Sequence, residues 1–338
     1  MSGEVNVTAS VRAPHYPVML PEVLAALRPQ NGETYIDGTF GNGGYSEAFL
    51  KADNCHVIGL DRDPSVGLRA VELAQTYDGR FRLIETPFSK MDELSLPKLD
   101  AVVLDIGVSS MQLDQAERGF SFMRAGPLDM RMGSDGPTAA MAVNQLTHGQ
   151  LAGIFKIYGE ERQAKRVADA IMRAREIEDI ITTDALASLI EATIGRSGKT
   201  HPATRVFQAL RIFINDELGE LYRGLCAAER LLLPGGRLIV VTFHSLEDRI
   251  VKSFFRTRAG EVSGGSRYQP EVIHSGPEAS FTLQKRGVVK PSISEISENP
   301  RSRSAKLRYG VRSDAPAFET DDGLLPNVPS VHDIRWAA

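Results

Sequence analysis

Tyr35-Ile36-Asp37-Gly38-Thr39-Phe40-Gly41-Asn42-Gly43-Gly44-Tyr45 is the stretch on which the reading of this chain turns. Tyr35-Ile36 closes a short apolar run after the turn at Asn31-Gly32. Four glycines fall within residues 38–44, and a helical pattern with Ala48, Phe49 and Leu50 begins near Ser46. The order is strand, glycine loop, helix. Glycine reaches backbone torsions that other residues resist and lets a ligand approach the main chain. A helix start leaves amide N–H groups unpaired. Such a loop suits a nucleoside-containing cofactor. It lacks the Lys-Ser/Thr ending of a P-loop, and Gly41-Asn42-Gly43-Gly44 does not fit G-x-G-x-x-G. Taken alone, it reads equally as a plain turn.

The next strands favour a site. His56-Val57-Ile58-Gly59-Leu60 is a buried-strand pattern ending in Asp61, twenty residues after Gly41. In open α/β sheets ligands sit beyond the carboxyl ends of strands, where an acid can accept both ribose hydroxyls; the other role for Asp61 is to cap the turn at Arg62-Asp63-Pro64. Phe81-Arg82-Leu83-Ile84 leads to Phe88, either a base-stacking ring or a core phenylalanine. Leu99 to Leu104 ends in Asp105, and Arg237 to Phe243 ends in His244-Ser245. These patterns predict one sheet edge gathering the glycine loop, Asp61, Asp105 and His244. His244 serves there as a structural donor or a substrate contact.

Bulk composition narrows the classes. The 338 residues are 42% apolar and 24% charged, ordinary for a globular protein, and the formal charge of −4 requires any nucleic-acid binding to use local patches. Cys55 and Cys226 form no C-x-x-C, which excludes a disulfide framework or cysteine-rich zinc site; no metal is expected. Residues 1–12 lack a secretory signal pattern, and no apolar run reaches the ~18 residues of a membrane span. A cytoplasmic protein without membrane contact is expected.

Between the fourth strand and Arg237 the pattern changes. Residues 111–135 mix arginine, aromatic and methionine residues with little periodicity, either a loop that serves the site or a polar surface loop. Helices are predicted over 136–217. One, from Arg162 to Arg175, carries Arg162, Lys165, Arg166 and Arg173 off its apolar face; another runs from near Pro202 through Leu225, with Thr204, Gln208, Arg211 and Asn215 on its other side. These suggest a helical insertion with a basic side. Residues 256–280 read as a flexible loop, and Phe281 to Val289 and Ala305 to Val311 as last strands. Lys285, Arg286, Lys290, Arg301, Arg303, Lys306 and Arg308 give a local basic concentration suited to a phosphate backbone.

Seven blocks in order carry a resemblance: Asp37-Gly38-Thr39-Phe40-Gly41-Asn42-Gly43-Gly44, Asp61-Arg62-Asp63-Pro64, Asp105-Ile106-Gly107-Val108-Ser109-Ser110, Glu117-Arg118-Gly119-Phe120-Ser121-Phe122, Gly126-Pro127-Leu128-Asp129-Met130-Arg131-Met132, His201-Pro202-Ala203-Thr204-Arg205 and Phe243-His244-Ser245-Leu246-Glu247-Asp248-Arg249. From about His15 to Arg312 the chain closely resembles the bacterial RsmH (MraW) family, which methylates N4 of a cytidine in 16S ribosomal RNA. The resemblance implies an α/β, Rossmann-like class I methyltransferase sheet with an inserted all-helical domain. It implies S-adenosylmethionine as cofactor and 16S rRNA of the small ribosomal subunit as partner; whether the protein forms a homodimer stays open. The layout it implies is a loose arm at 1–14, a methyltransferase domain over 15–112 and 218–312, a substrate-recognising helical insertion over 113–217 and a mobile tail over 313–338. Gly43, Gly44 and Tyr45 match the family's cofactor loop, Asp61 its ribose acid and Phe88 the residue near the adenine, while Asp105 and Gln112 complete the pocket. The family usually has histidine where this chain has Tyr45.

The chemistry also constrains the reading. A cytosine amine is a poor nucleophile because its lone pair is delocalised, so an acceptor for its N–H assists attack. Asp105 is the candidate, with His244 beside it as a second catalytic candidate. Asp105-Ile106-Gly107-Val108 lacks the prolines and stacking tyrosine of D-P-P-Y enzymes, leaving Phe120 or Phe122 as candidate stacking rings. No cysteine lies near this edge to form a ring-carbon adduct, which favours nitrogen methylation. Three rival readings are an NAD-dependent oxidoreductase, a non-catalytic RNA-binding assembly factor and a DNA amino-methyltransferase.

Overall fold

Alternation of apolar side chains along the predicted strands builds a seven-stranded sheet. In the computed structural model, which describes residues 17–108, 110–196, 198, 201–260, 277–284 and 287–337, the strands are β1 (Thr34–Asp37), β2 (His56–Asp61), β3 (Phe81–Glu85), β4 (Leu99–Asp105), β5 (Leu232–Thr242), β6 (Phe281–Thr282) and β7 (Lys306–Arg312). The expected arm at 1–14 and the basic pair Lys285 and Arg286 lie outside the described residues. The strand order is β3-β2-β1-β4-β5-β7-β6. The first five strands are parallel, and β7 runs antiparallel to both β5 and β6. The order reverses between β1 and β4, the switch point at which Rossmann-like sheets open a crevice.

Successive residues point to opposite faces of a strand, and the two faces build two cores. Tyr35, Val57, Ala101, Val103, Ile239 and Val241 face α1 (Leu20–Leu27), α2 (Gly44–Ala52) and α3 (Gly67–Thr76). Ile36, Ile58, Val102, Leu104, Leu238 and Val240 face the other way. That second core runs without a break into the helices between β4 and β5: α4 (Ser110–Asp114), α5 (Ala139–Gln145), α6 (His148–Ile157), α7 (Ala164–Arg175), α8 (Thr183–Ile194), α9 (Ala203–Ile214) and α10 (Glu217–Leu231). It also takes in α11 (Ser245–Arg258). The segment read as an insertion therefore shares one hydrophobic core with the sheet. No helix among the described residues is long and apolar enough to cross a membrane.

Three expectations change. The helix expected from Pro202 through Leu225 is two helices, because Asp216 turns left-handed at φ 47° and the Asn215 side chain takes the Arg211 carbonyl at 2.9 Å. The strand expected over residues 281–289 is reduced to the two residues of β6 and a single bridge from Val289 to Leu307. A short helix that sequence periodicity did not reveal, α12 (Ile293–Glu298), follows, capped by the Ser292 hydroxyl. Residues 314–337, expected to be loose, lie against the helices. Trp336 packs 6.3 Å from Phe213 and donates to the Val331 carbonyl, Asp321 N–H reaches the Tyr222 hydroxyl, and the Ala337 N–H bonds Gln145.

One buried ion pair ties this tail to the core. Glu229 accepts from Arg258 Nε at 3.0 Å, from the Ser280 hydroxyl at 2.5 Å and from Phe318 N–H at 3.2 Å. The Arg258 guanidinium also lies over the rings of Phe254 and Phe318. Removing one partner leaves an uncompensated buried charge. Glu229→Ala is expected to destabilise the protein by about 3–5 kcal/mol, read as a lower urea midpoint with cooperative unfolding retained.

Candidate active site

The parallel register places the sequence candidates at one end of the sheet. Asp37 pairs with Gly59 and Val103, Asp61 with Glu85, and Asp105 with Val241, so the loops after β1, β2, β4 and β5 open on the same side. They enclose a cavity of about 920 Å³, within the range of cofactor sites. Gly44, Tyr45, Asp61, Phe88, Asp105 and Gln112 all line it. Gly43 does not: it caps α2 at φ 72°, and a Cβ there would meet Leu73 and Phe40 at 2.6 and 2.9 Å. His244 lies in an adjoining cavity of about 420 Å³, and Phe243 lines both spaces.

The cavity's walls are fixed by short-range bonds. Asp61 accepts Gly41 N–H at 2.8 Å and Asp63 N–H at 2.9 Å, which ties the glycine loop to β2. Burial raises its pKa, and these N–H groups offset only part of that rise. Asp63 holds Gln112 at 3.1 Å and Arg118 at 2.9 Å. Arg118 in turn donates to the carbonyls of Arg131 and Met132. Asn215 accepts Met132 N–H and donates to Met130 O, both at 2.8 Å. The aperiodic stretch after β4 is thus latched from two sides, and Leu128 and Met130 are fully buried. Phe88 sits against α10 only because residue 224 is glycine: a Cβ there would come within 2.3 Å of its ring. Tyr45 is buried, with its hydroxyl donating to the Val18 carbonyl, so the residue that departs from the family's histidine anchors the segment before α1. α12 closes the rim, where Glu295 accepts Met19 N–H at 2.7 Å.

Phe120 and Phe122, the expected stacking rings, do not line the cavity. Phe120 is buried, and Phe122 packs on His201 at 4.6 Å and Phe207 at 4.9 Å. The rings that do line it are Phe40, Tyr45, Phe88 and Phe243. The polar side of α9 is also not an open basic face. Arg211 is bound by Glu217 at 2.7 and 2.8 Å, Gln208 donates to Tyr158 O, and only Thr204 and Arg205 of that side are exposed. A helix face of amides and one arginine reads alike whether solvated or clamped, so sequence periodicity could not separate the two.

Charge is concentrated behind Asp105. Its N–H donates to the Thr39 hydroxyl at 2.7 Å, whereas its Oδ1 is shielded from solvent with no hydrogen-bond partner among the described residues. Burial pushes its pKa well above the usual carboxylate range, and the nearby Asp37 and Glu247 push it further. Asp37 is pushed up to about 6 by burial, although it accepts from Ser46 and Thr39. Glu247, absent from the sequence candidates, is fully buried. Burial alone would raise it, but His244, Arg211 and the Phe243 N–H hold it below the ordinary value. Its Oε1 lies 2.8 Å from His244 Nε2, and its Oε2 takes the N–H groups of Phe243 and His244. Glu217, His244 and Glu247 also bring ligand-type atoms within 4.8 Å of one another, with Arg211 on Glu217 and the imidazole on Glu247. The signal for Glu247 was available as a capping-box spacing from His244.

The model of the MraW methylase family covers residues 12–312. The chain belongs to the MraW methylase family. It is 58% identical to the ribosomal RNA small subunit methyltransferase H of Maricaulis maris, over 94% of this chain and 96% of that one. The protein of the same name from Paramagnetospirillum magneticum is 54% identical over 91% and 98%, and that of Brucella suis 50% over 99% and 98%. Membership removes the oxidoreductase reading. It also identifies the protein as a methyltransferase with S-adenosylmethionine as donor, built on a Rossmann-like sheet.

The Asn215 latch is testable. Asn215→Ala strands the buried N–H of Met132, a cavity-lining residue, and is expected to cost about 1–3 kcal/mol. Urea unfolding measures that cost, and calorimetry on the same sample should show weaker donor binding.

Proposed function

We propose that this protein methylates the exocyclic N4 of a cytidine in small-subunit ribosomal RNA, with S-adenosylmethionine as donor and Asp105 as the acceptor of the amine proton. Asp105 carries this reading: it lines the cavity, and its Oδ1 has no hydrogen-bond partner among the described residues. A buried polar atom without a partner is costly, and an incoming N–H supplies one.

The bound donor presents a methyl group on a positively charged sulfur. That charge suits a cavity lined by Asp61 and Asp105, with Asp37 buried behind them. In this reading Asp61 takes the ribose hydroxyls with the lone pairs its two backbone bonds leave free, Phe88 packs against the adenine and Gln112 borders it. Asp105 accepts the cytosine N–H, which localises the nitrogen lone pair for in-line attack. As the nitrogen–methyl bond forms and the sulfur–methyl bond breaks, the amine proton passes to the Asp105 carboxylate. Alignment and exclusion of water account for much of the acceleration in such displacements. His244 acts by holding the turn after β5, paired with Glu247, more directly than by touching the amine. Arg162, Lys165, Arg166 and Arg173 are exposed on or just before α7 and offer a basic face to RNA. We infer that the substrate is presented as a small-subunit particle in the cytoplasm.

Three outcomes are expected. Labelled methyl should reach small-subunit RNA and be recovered as N4-methylcytidine on nucleoside mass spectrometry; recovery on another nucleoside would refute the assignment. Asp61→Ala removes an acceptor for two hydroxyls and should weaken donor binding about 10- to 100-fold by calorimetry. Asp105→Asn should lower kcat by about 100-fold or more with donor affinity retained. In the wild type only the deprotonated carboxylate accepts the proton, and the raised pKa moves its protonation to higher pH. Activity should therefore fall on acidification at a pH above the ordinary aspartate value of about 3.9. That limb should lie higher in kcat/KM than in kcat, because the bound sulfonium favours the charged acid.

A further inference from the structure

The 420 Å³ cavity beside the donor site has its own chemistry. Its lining includes Phe243, His244, Lys290, Arg303, Ser304 and Lys306, with no carboxylate among the lining residues. In a chain of formal charge −4, three cations around one small space are unusual. Lys306 is engaged by Asp248 at 2.9 Å, which also takes Arg308 at 2.7 Å. Lys290 and Arg303 are exposed, and neither forms an ion pair among the described residues. Ser245 on the other rim donates its hydroxyl to Glu160 at 3.2 Å. Phe243 joins this space to the donor cavity. Its ring lies beside the backbone that follows Asp105, since a Cβ on Gly107 would be 3.4 Å from Phe243 Cδ2. Ile106 N–H also bonds Val241 O at 2.9 Å, so the turns after β4 and β5 are held together.

We propose that this cavity is the seat of the RNA backbone next to the target cytidine: Lys290 and Arg303 hold a phosphate, and the base passes over the face of Phe243 to reach Asp105. The proposal rests on the RNA methyltransferase reading above. An aromatic face with flanking cations is the pairing that single-stranded nucleic acid requires, the ring for the base and the cations for the phosphodiester. Phe243 then fills the stacking place that Phe120 and Phe122 do not occupy. Charge-assisted contacts of this kind set register on the strand, whereas base contacts set identity.

The test compares wild type with the Lys290→Ala/Arg303→Ala double variant, both exposed positions. Filter binding to labelled small ribosomal subunits is measured across a salt series, alongside methyl transfer and donor calorimetry. The double variant should bind the RNA about tenfold more weakly, with the salt slope reduced by about 0.7 for each single-stranded phosphate no longer neutralised. Donor affinity and melting temperature should stay at the wild-type values. Phe243→Leu should raise KM for RNA and lower kcat, with Phe243→Tyr restoring both. Wild-type RNA affinity and slope in the double variant would overturn the phosphate seat whether or not methyl is transferred. Weaker binding with an unchanged slope would also overturn it, and would point to a protein contact. Absence of methyl transfer in the wild type, with the binding result intact, would instead sink the catalytic reading alone.

Discussion

Several carboxylates are held out of water at one end of this sheet, and their mutual repulsion is the constraint around which the site is organised. Asp37, Asp61, Asp105 and Glu247 each lose hydration, and the pairs Asp37–Asp61, Asp37–Asp105 and Asp105–Glu247 disfavour one another's charged forms. Each is stabilised differently. Asp37 takes the first turn of α2 through Ser46, Asp61 takes the glycine loop, and Glu247 takes His244. Of these four, Asp105 keeps an oxygen with neither a hydrogen bond nor a charge partner among the described residues. Under the proposed function, a positively charged sulfur beside these acids would relieve this strain where a neutral nucleoside would not.

Most of the sheet was legible because period-two alternation and strand-ending acids are local signals. Val102 and Leu104 against Ala101 and Val103 divide cleanly between two cores. The gathering of Asp61 and Asp105 at one sheet edge was legible for the same reason, since both sit at strand ends by sequence order alone. What escaped depended on long-range partners. Nothing local says that Arg211 is clamped by Glu217 or that Phe122 is stacked under His201. Gly43 was included with its neighbours because a run of glycines does not reveal which one faces inward; its positive φ serves the helix cap. The break at Asp216 was hidden because the apolar stripe continues across it from Ile214 to Leu218.

The latches explain how an irregular stretch can sit beside a precise site. Arg118 and Asn215 satisfy backbone groups that no helix or strand supplies, and the loop's apolar residues join the helical core. Order there comes from side chains borrowed from β2's turn and from the end of α9. The donor cavity thereby inherits the rigidity of both the sheet and the helices, which suits an in-line displacement.

The cavity wall also draws on residues from Pro17 to Arg301, and Met19 is tied to Glu295 across 276 positions of chain. During synthesis the glycine loop and its acids emerge early, yet the enclosure cannot close until α12 has left the ribosome. Enclosure of the cavity is thus a property of the finished polypeptide. Because a ligand that binds only the native state stabilises it, any ligand held in this cavity would tie together the first and last thirds of the molecule.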